Sequence, residues 1–181
     1  MLRGAFTNPA VTDLPLSDRP GPGGWARTAG RTAVLPVYEA APTYRAAGCD
    51  PVIVVGRNYG AGSSRDWAAK AQTLLGVRAV IAESYERIHR SDLIGTGVLP
   101  LEFTDGDSAS AHDFTDEGHL TFDGLRNLRV GANPVTLHMH HPDREVRSIP
   151  LRLRIFSGQE PACLRHGGIL PYAVRRALAV G

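Results

Sequence analysis

The 181-residue sequence predicts an α/β fold: a layered domain on a parallel βαβαβ core at about residues 51–103, followed by a C-terminal part that contains a β-hairpin. Two observations lead to it. The apolar runs PVIVV, VRAVIAE and VLPLEF alternate with two helix-like segments, and that order requires parallel pairing through right-handed crossovers. Beyond Phe103 the sequence turns polar and then resumes as HLTFDG, PVTLHMHH and VRSIPLRLRIF, the last two flanking a turn at Pro142 and Asp143.

Taken in order, residues from about Pro9 to Arg31 are dense in Pro, Gly and polar side chains without periodicity and read as a long loop, anchored by Trp25. VLPVYEAAPTYRAAG reads as a short strand or turn and then a helix, with Pro42 near the helix start. PVIVV, rich in β-branched residues, has the character of a strand covered on both faces. GRNYGAGSS leads into SRDWAAKAQTLLG, where Trp67, Ala71, Leu74 and Leu75 fall on one helical face, Trp67 is expected in the core and Gly76 stops the helix. VRAVIAE, SYERIHRSDLIG and VLPLEF follow as strand, helix and strand. The alternation of LRLRIF predicts one solvated face, and PYAVRRALAV closes the chain as a helix with Pro171 in its first turn.

Composition narrows the function classes. A net charge of +2, with Lys and Arg scattered along the chain, gives no basic patch and argues against nucleic acid as a partner. The N-terminus carries no signal-peptide pattern and no run approaches membrane-spanning length, so no membrane partner and a soluble, cytoplasmic chain are expected. The length suits a single domain over residues 1–181. Cys49 and Cys163 stand far apart, in no CxxC pair, and read as reduced thiols.

One segment carries chemistry. In YGAGSSRDW, Gly60 and Gly62 let the backbone turn and approach a ligand, and Ser63 or Ser64 can cap the following helix, Ser63 with Asp66 forming a capping-box pattern. Free N–H groups at a helix start attract anions, and the guanidinium of Arg65 matches a carboxylate. A dinucleotide loop needs a third glycine where Arg65 stands, and a Walker A loop needs Gly-Lys-Ser or Gly-Lys-Thr; neither fits. From residue types alone, a carboxylate site and an ordinary capped helix stand level.

The stretch from GRNYGAGSSRDW through IHRSDLIGTGVLPLEF resembles the C-terminal swivel domain of aconitases, above all the bacterial aconitase A and iron-regulatory-protein branch. LRGAFTN, PGPGGWART, VYEAAPTYRAAG and RHGGILPYAVRRAL resemble further segments of that domain in the same order, so nearly the whole chain is covered. The resemblance implies a swivelling β/β/α fold. It also implies that Ser63 is the base that removes the proton α to a carboxylate, and that Ser64, Arg65 and Arg3 bind substrate carboxylates. A serine hydroxyl is a poor base unless its alkoxide is stabilised, and Arg65 with the helix start supplies such a field. Two arginines suit a di- or tricarboxylic acid, because their forks fix orientation where lysines would not.

The family's [4Fe-4S] cluster is held by three cysteines of other domains, which this chain lacks. The resemblance therefore implies that no cofactor binds this chain, and that a large aconitase-like subunit carries the cluster and the acid for the leaving hydroxyl. The chain would be the small, swivel subunit of a hydro-lyase acting on a citrate-like acid, as in two-subunit isopropylmalate isomerases. Asp92 and Ala71 replace the Asn and Gly usual in the family, and the segment after Asn8 follows it less closely. The acid stays open among citrate, 2-methylcitrate, homoaconitate, isopropylmalate and related compounds. The other readings are a stand-alone carboxylate- or RNA-binding module and a fragment of a longer enzyme. His138 and His140 share one side of a strand but lack a third ligand, His89 and Arg90 read as structural or interface residues, and His166 as a turn residue.

Overall fold

The computed structural model describes residues 2–9, 11, 16, 18, 20–62, 64–115 and 117–179. The first pair of strands, β1 (Trp25–Arg27) and β2 (Val34–Pro36), forms an antiparallel ribbon, and Pro36 leads into helix α1 (Val37–Ala46). The main sheet contains β3 (Val52–Val55), β4 (Ala79–Ala82), β5 (Leu99–Phe103), β6 (His119–Asp123), β7 (Gly131–His140) and β8 (Arg147–Ile155) in the spatial order β3-β4-β5-β8-β7-β6. As the apolar runs predict, β3, β4 and β5 are parallel, linked by α2 (Arg65–Leu74) and α3 (Arg87–Gly95). The rest of the sheet is antiparallel and includes the expected β7–β8 hairpin. Helices α4 (Glu160–His166) and α5 (Ile169–Leu178) end the chain.

Alternation along the strands divides the core in two. Val80 of β4 packs with Ala69 of α2, Leu75 at the C-cap of α2, Leu93 of α3, and Ile53 and Val55 of β3, which forms the layer between sheet and helices. Ala79, Ile81, Leu101 and Phe103 point the other way, into a cluster with Leu137, Ile149, Leu151 and Leu153. Val52 and Val54 on one sheet edge and Leu120 and Phe122 on the other pack against this same cluster, so the six strands curl around it. On β8 the predicted alternation holds: Ile149, Leu151, Leu153 and Ile155 are buried, while Arg152 and Arg154 reach outward to Glu102.

Several sequence expectations are corrected. Trp67 is 56% exposed and Leu74 41%, because α2 turns Ala69, Ala71, Gln72 and Leu75 inward. Small side chains at Ala69 and Ala71 let the helix approach closely, and Trp67 is left on the outer face beside Lys70. Pro42 stands inside α1 rather than at its start. β3 is half-buried throughout because it is a sheet edge; β4, one place inward, is the strand covered on both faces. The stretch read as loop to Arg31 contains β1, whose three residues are too few to show a period, and Trp25 donates to the Pro22 carbonyl at 3.3 Å. His166 ends helix α4, which the sequence reading did not separate from the turn, and the left-handed Gly167 caps it.

A buried ion pair ties α3 to α4. The Arg90 guanidinium meets Glu160 at 2.8 Å through both carboxylate oxygens, also donates to the Arg154 carbonyl, and lies 4.0 Å from the Phe156 ring centroid. Burial alone would raise the Glu160 pKa, but the Arg90 hydrogen bonds, the Phe156 N–H and the Arg90 charge outweigh it and hold the carboxyl below its ordinary value. A carboxyl with a lowered folded pKa adds stability above its unfolded pKa and loses it as pH falls through the folded one. Arg90→Met strands the partly buried Glu160 charge, so urea unfolding at pH 7 should show a loss of about 3 kcal/mol. The difference from the unaltered chain should shrink in acid.

Candidate functional site

The loop after β3 is shaped by the neighbouring strand. Parallel pairing continues beyond β4 as a bridge between Tyr59 and Tyr85, with Tyr59 N–H donating to the Ser84 carbonyl at 3.0 Å and Glu86 N–H to the Tyr59 carbonyl at 2.9 Å. Asn58, in the left-handed region at φ 53, donates its N–H to Ser84 Oγ at 2.8 Å. At Gly60 φ is +88, and a Cβ there would stand 2.2 Å from Cγ of His89, so only glycine fits. A Cβ on Gly62 would meet nothing within 4 Å, so the chain's own packing does not require that glycine.

Ser64 occupies the N-cap position of α2, is exposed, and makes no capping hydrogen bond through its side chain. The capping-box expectation rests on Ser63 and so lies outside the described residues; with Ser64 as N-cap, the third helical residue is Trp67. The first N–H groups of α2 have no intrahelical acceptor, so the helix start keeps its positive character. Arg65, the first residue of α2, is half-buried and held from two sides. Its Nε donates to the Gly62 carbonyl at 3.0 Å, and Nη1 lies 3.0 Å from Glu86 Oε1. Nη2 makes no hydrogen bond or ion pair among the described residues.

Glu86 also caps α3, its Oε2 accepting from the N–H groups of Ile88 and His89 at 2.8 and 3.1 Å. Burial would raise its pKa, but those backbone N–H groups and the positive charges of Arg65 and Arg87 lower it overall. Sequence reasoning missed Glu86 and set His89 aside. Each acts on a residue more than twenty positions away, and no local pattern encodes that proximity.

Ser63 lies outside the described residues. Arg3 stands in a 3-10 turn, Leu2–Gly4, exposed, with no hydrogen bond or ion pair among the described residues. Its segment is docked through Ala5 and Phe6, which pack with Tyr59 in the cluster beneath α2. Gly24 N–H donates to the Phe6 carbonyl at 2.6 Å, and a Cβ on Gly24 would come within 2.5 Å of Phe6. The LRGAFTN and PGPGGW segments therefore fix one another. The Tyr38 hydroxyl has a raised pKa, first through its hydrogen bond to Glu39, and the charge of Arg3 pulls it the other way, which sets Arg3 near the start of α1.

The residues present do not fit an iron–sulfur cluster. Cys49 is exposed beyond α1, Cys163 is buried in the core from α4, and no group of three His, Cys, Asp or Glu among the described residues can hold a metal. His138 is taken up by Ser148 and Asp123, and His140 by Thr121 and the stacked His119 ring. No helix among the described residues is long and apolar enough to cross a membrane.

Fold and loop define a class: a layered α/β domain that presents serine and arginine at a helix head, just past the carboxyl end of a parallel strand, where open α/β sheets place their ligand crevices. Residues 23–106 match the family described as Aconitase C-terminal domain. Aconitate hydratase A of Salmonella typhimurium is 43% identical over 180 residues, 98% of this chain and 20% of that protein. Aconitate hydratase A of Mycobacterium avium is 43% identical over 187 residues, 100% of this chain and 19% of its own length. Phosphinomethylmalate isomerase of Streptomyces viridochromogenes is 40% identical over 178 residues, 98% of this chain and 19% of its own. A solved structure described as 3-isopropylmalate dehydratase of Methanocaldococcus jannaschii aligns at a TM-score of 0.47 with 23% identity, over 81% of each chain. The chain belongs to the aconitase family as its C-terminal swivel domain. It spans about a fifth of the length of the curated relatives it matches.

Beneath the helix head, Asp92 Oδ2 is buried without a hydrogen-bond partner among the described residues. Its pKa is raised, by burial first and then by Asp66 and Glu86, against the opposing His89 and Arg65. With a folded pKa above the unfolded one, Asp92 costs stability only where it is ionised. Asp92→Asn should therefore raise unfolding stability at pH 7 by about 1 kcal/mol, and the gain should fade as the pH of a denaturant series drops below about 4.

Proposed function

We propose that this chain supplies the base and the carboxylate-binding groups of an aconitase-type hydro-lyase, as one domain over residues 1–181 working with a cluster-bearing aconitase-like partner in the cytoplasm. The observation that carries the reading is the state of the helix head: Arg65 is held in place with one edge of its guanidinium uncommitted, next to an exposed Ser64 that spends no hydroxyl on capping.

In the proposed reaction Ser63 takes the proton α to a substrate carboxylate. The electron pair left on carbon forms the double bond as the β-hydroxyl departs, and an acid of the partner protonates that hydroxyl to water. Rehydration runs the same steps backward. Arg65, Ser64 and Arg3 hold the carboxylates and stabilise the charge that grows on the one beside the ionised carbon. The helix-start N–H groups and the guanidinium favour the alkoxide that Ser63 needs in order to act. Relatives named for aconitate and for phosphinomethylmalate match at nearly equal identity, which supports a carboxylic acid as substrate without favouring one particular acid.

The test is capture of the tagged chain from an oxygen-free lysate of its source, with assays of the eluate for iron and for hydration of cis-aconitate. An iron-bearing partner with hydratase activity is expected; a chain that emerges alone and inactive would favour the binding-module reading. In the captured complex Ser63→Ala should retain the partner and lose about three orders of magnitude in turnover. Arg65→Lys should not restore the activity lost in Arg65→Gln, because a point charge cannot reproduce a planar fork. Full activity in Ser63→Ala would remove Ser63 as the base.

A further inference from the structure

His89 is 1% exposed, and no step proposed above uses it. Its ring touches the polypeptide on both sides of Ser63 in sequence. On one side it fills the space that Gly60 leaves by having no Cβ. On the other, Nδ1 lies 2.9 Å from the Arg65 carbonyl oxygen. A carbonyl only accepts, so Nδ1 carries the proton, and Nε2 accepts from the Gln72 amide at 3.4 Å. Tyr59 meets the ring edge-on, 5.3 Å between centroids. Three residues earlier, Glu86 holds the Arg65 guanidinium and caps the same turn of α3. The main chain and the side chain of one arginine are thus tied to a single helical turn.

We infer that His89 is a positioning residue for Arg65 and for Gly60, with Glu86 as the second strut, an inference that rests on the reading of Arg65 as a carboxylate ligand. A ligating side chain displaced by about 1 Å can cost on the order of a hundredfold in rate, so a group that does nothing but hold it in place matters. His89 does this from the buried side of the loop, without a path to substrate. Glu86 does it from the half-exposed side and returns part of the guanidinium charge.

The experiment compares His89→Ala with His89→Asn in the full chain. Both remove the ring, but asparagine keeps an N–H donor near the place of Nδ1. Nitrogen NMR of the arginine side chains reports whether the Arg65 guanidinium rotates freely. Slow rotation is expected in the unaltered chain and in His89→Asn, and averaged signals in His89→Ala and in Glu86→Gln. The Glu86 variant leaves the core untouched and keeps the test open if His89→Ala does not fold. In the captured complex His89→Ala should raise KM about tenfold with kcat within about threefold, and His89→Asn should restore it. Indistinguishable behaviour of the two His89 variants, or slow rotation retained in Glu86→Gln, would overturn the assignment. Arg65→Gln separates the two levels. Full activity there sinks the carboxylate reading and with it this role, whereas loss there beside normal kinetics in His89→Ala sinks the positioning role alone.

Discussion

The site depends on a parallel pairing that outlasts its strands. β3 and β4 register residue for residue through Val55 and Ala82, and the two chains then stay together through the Tyr59–Tyr85 bridge. The loop after β3 and the loop after β4 therefore leave the sheet as a bonded pair, and the helices they start, α2 and α3, begin side by side. Tyr85 anchors that departure from below, its buried hydroxyl donating to the carbonyls of Val80 in β4 and Leu101 in β5. Without that continued pairing, Glu86 and His89 would have no fixed relation to Arg65.

Charge is treated differently on the two sides of α3. Toward α4, Arg90 is deeply buried, yet the Glu160 carboxylate, the Arg154 carbonyl and the Phe156 ring satisfy it. Toward α2, Asp92 buries an oxygen with no hydrogen-bond partner among the described residues. The first arrangement resists removal of either member, because the survivor would be an isolated charge in a poorly solvated place. The second is a local cost, and it stands where the resemblance to the family implies an amide. An amide there would keep the shape and a hydrogen-bonding group without putting a second negative charge near Glu86, the carboxylate that holds Arg65.

The sheet core was legible because its strands are nearly continuous apolar runs and its helices are bounded by glycines; pairing then followed from chirality alone. β1 and α4 were not, because three and seven residues carry too little periodicity. Trp67 was misplaced for a different reason. Hydrophobic periodicity assumes that the largest apolar residues face the core, and α2 reverses this by packing through alanines and a glutamine. Ser64 and Arg65 were singled out by the motif and Arg3 by the resemblance alone, whereas Glu86 and His89 reach Arg65 only through the β3–β4 pairing.

This division between motif and support has a chemical consequence. An arginine on a loop loses side-chain freedom when it takes a carboxylate, and that ordering subtracts from affinity. Here Nε and Nη1 are already committed to Gly62 and Glu86, so much of that freedom is spent in folding. Glu86 also lowers the net charge at the helix head. Arg3, exposed and without an ion-pair partner among the described residues, has the opposite character: full charge and little fixation.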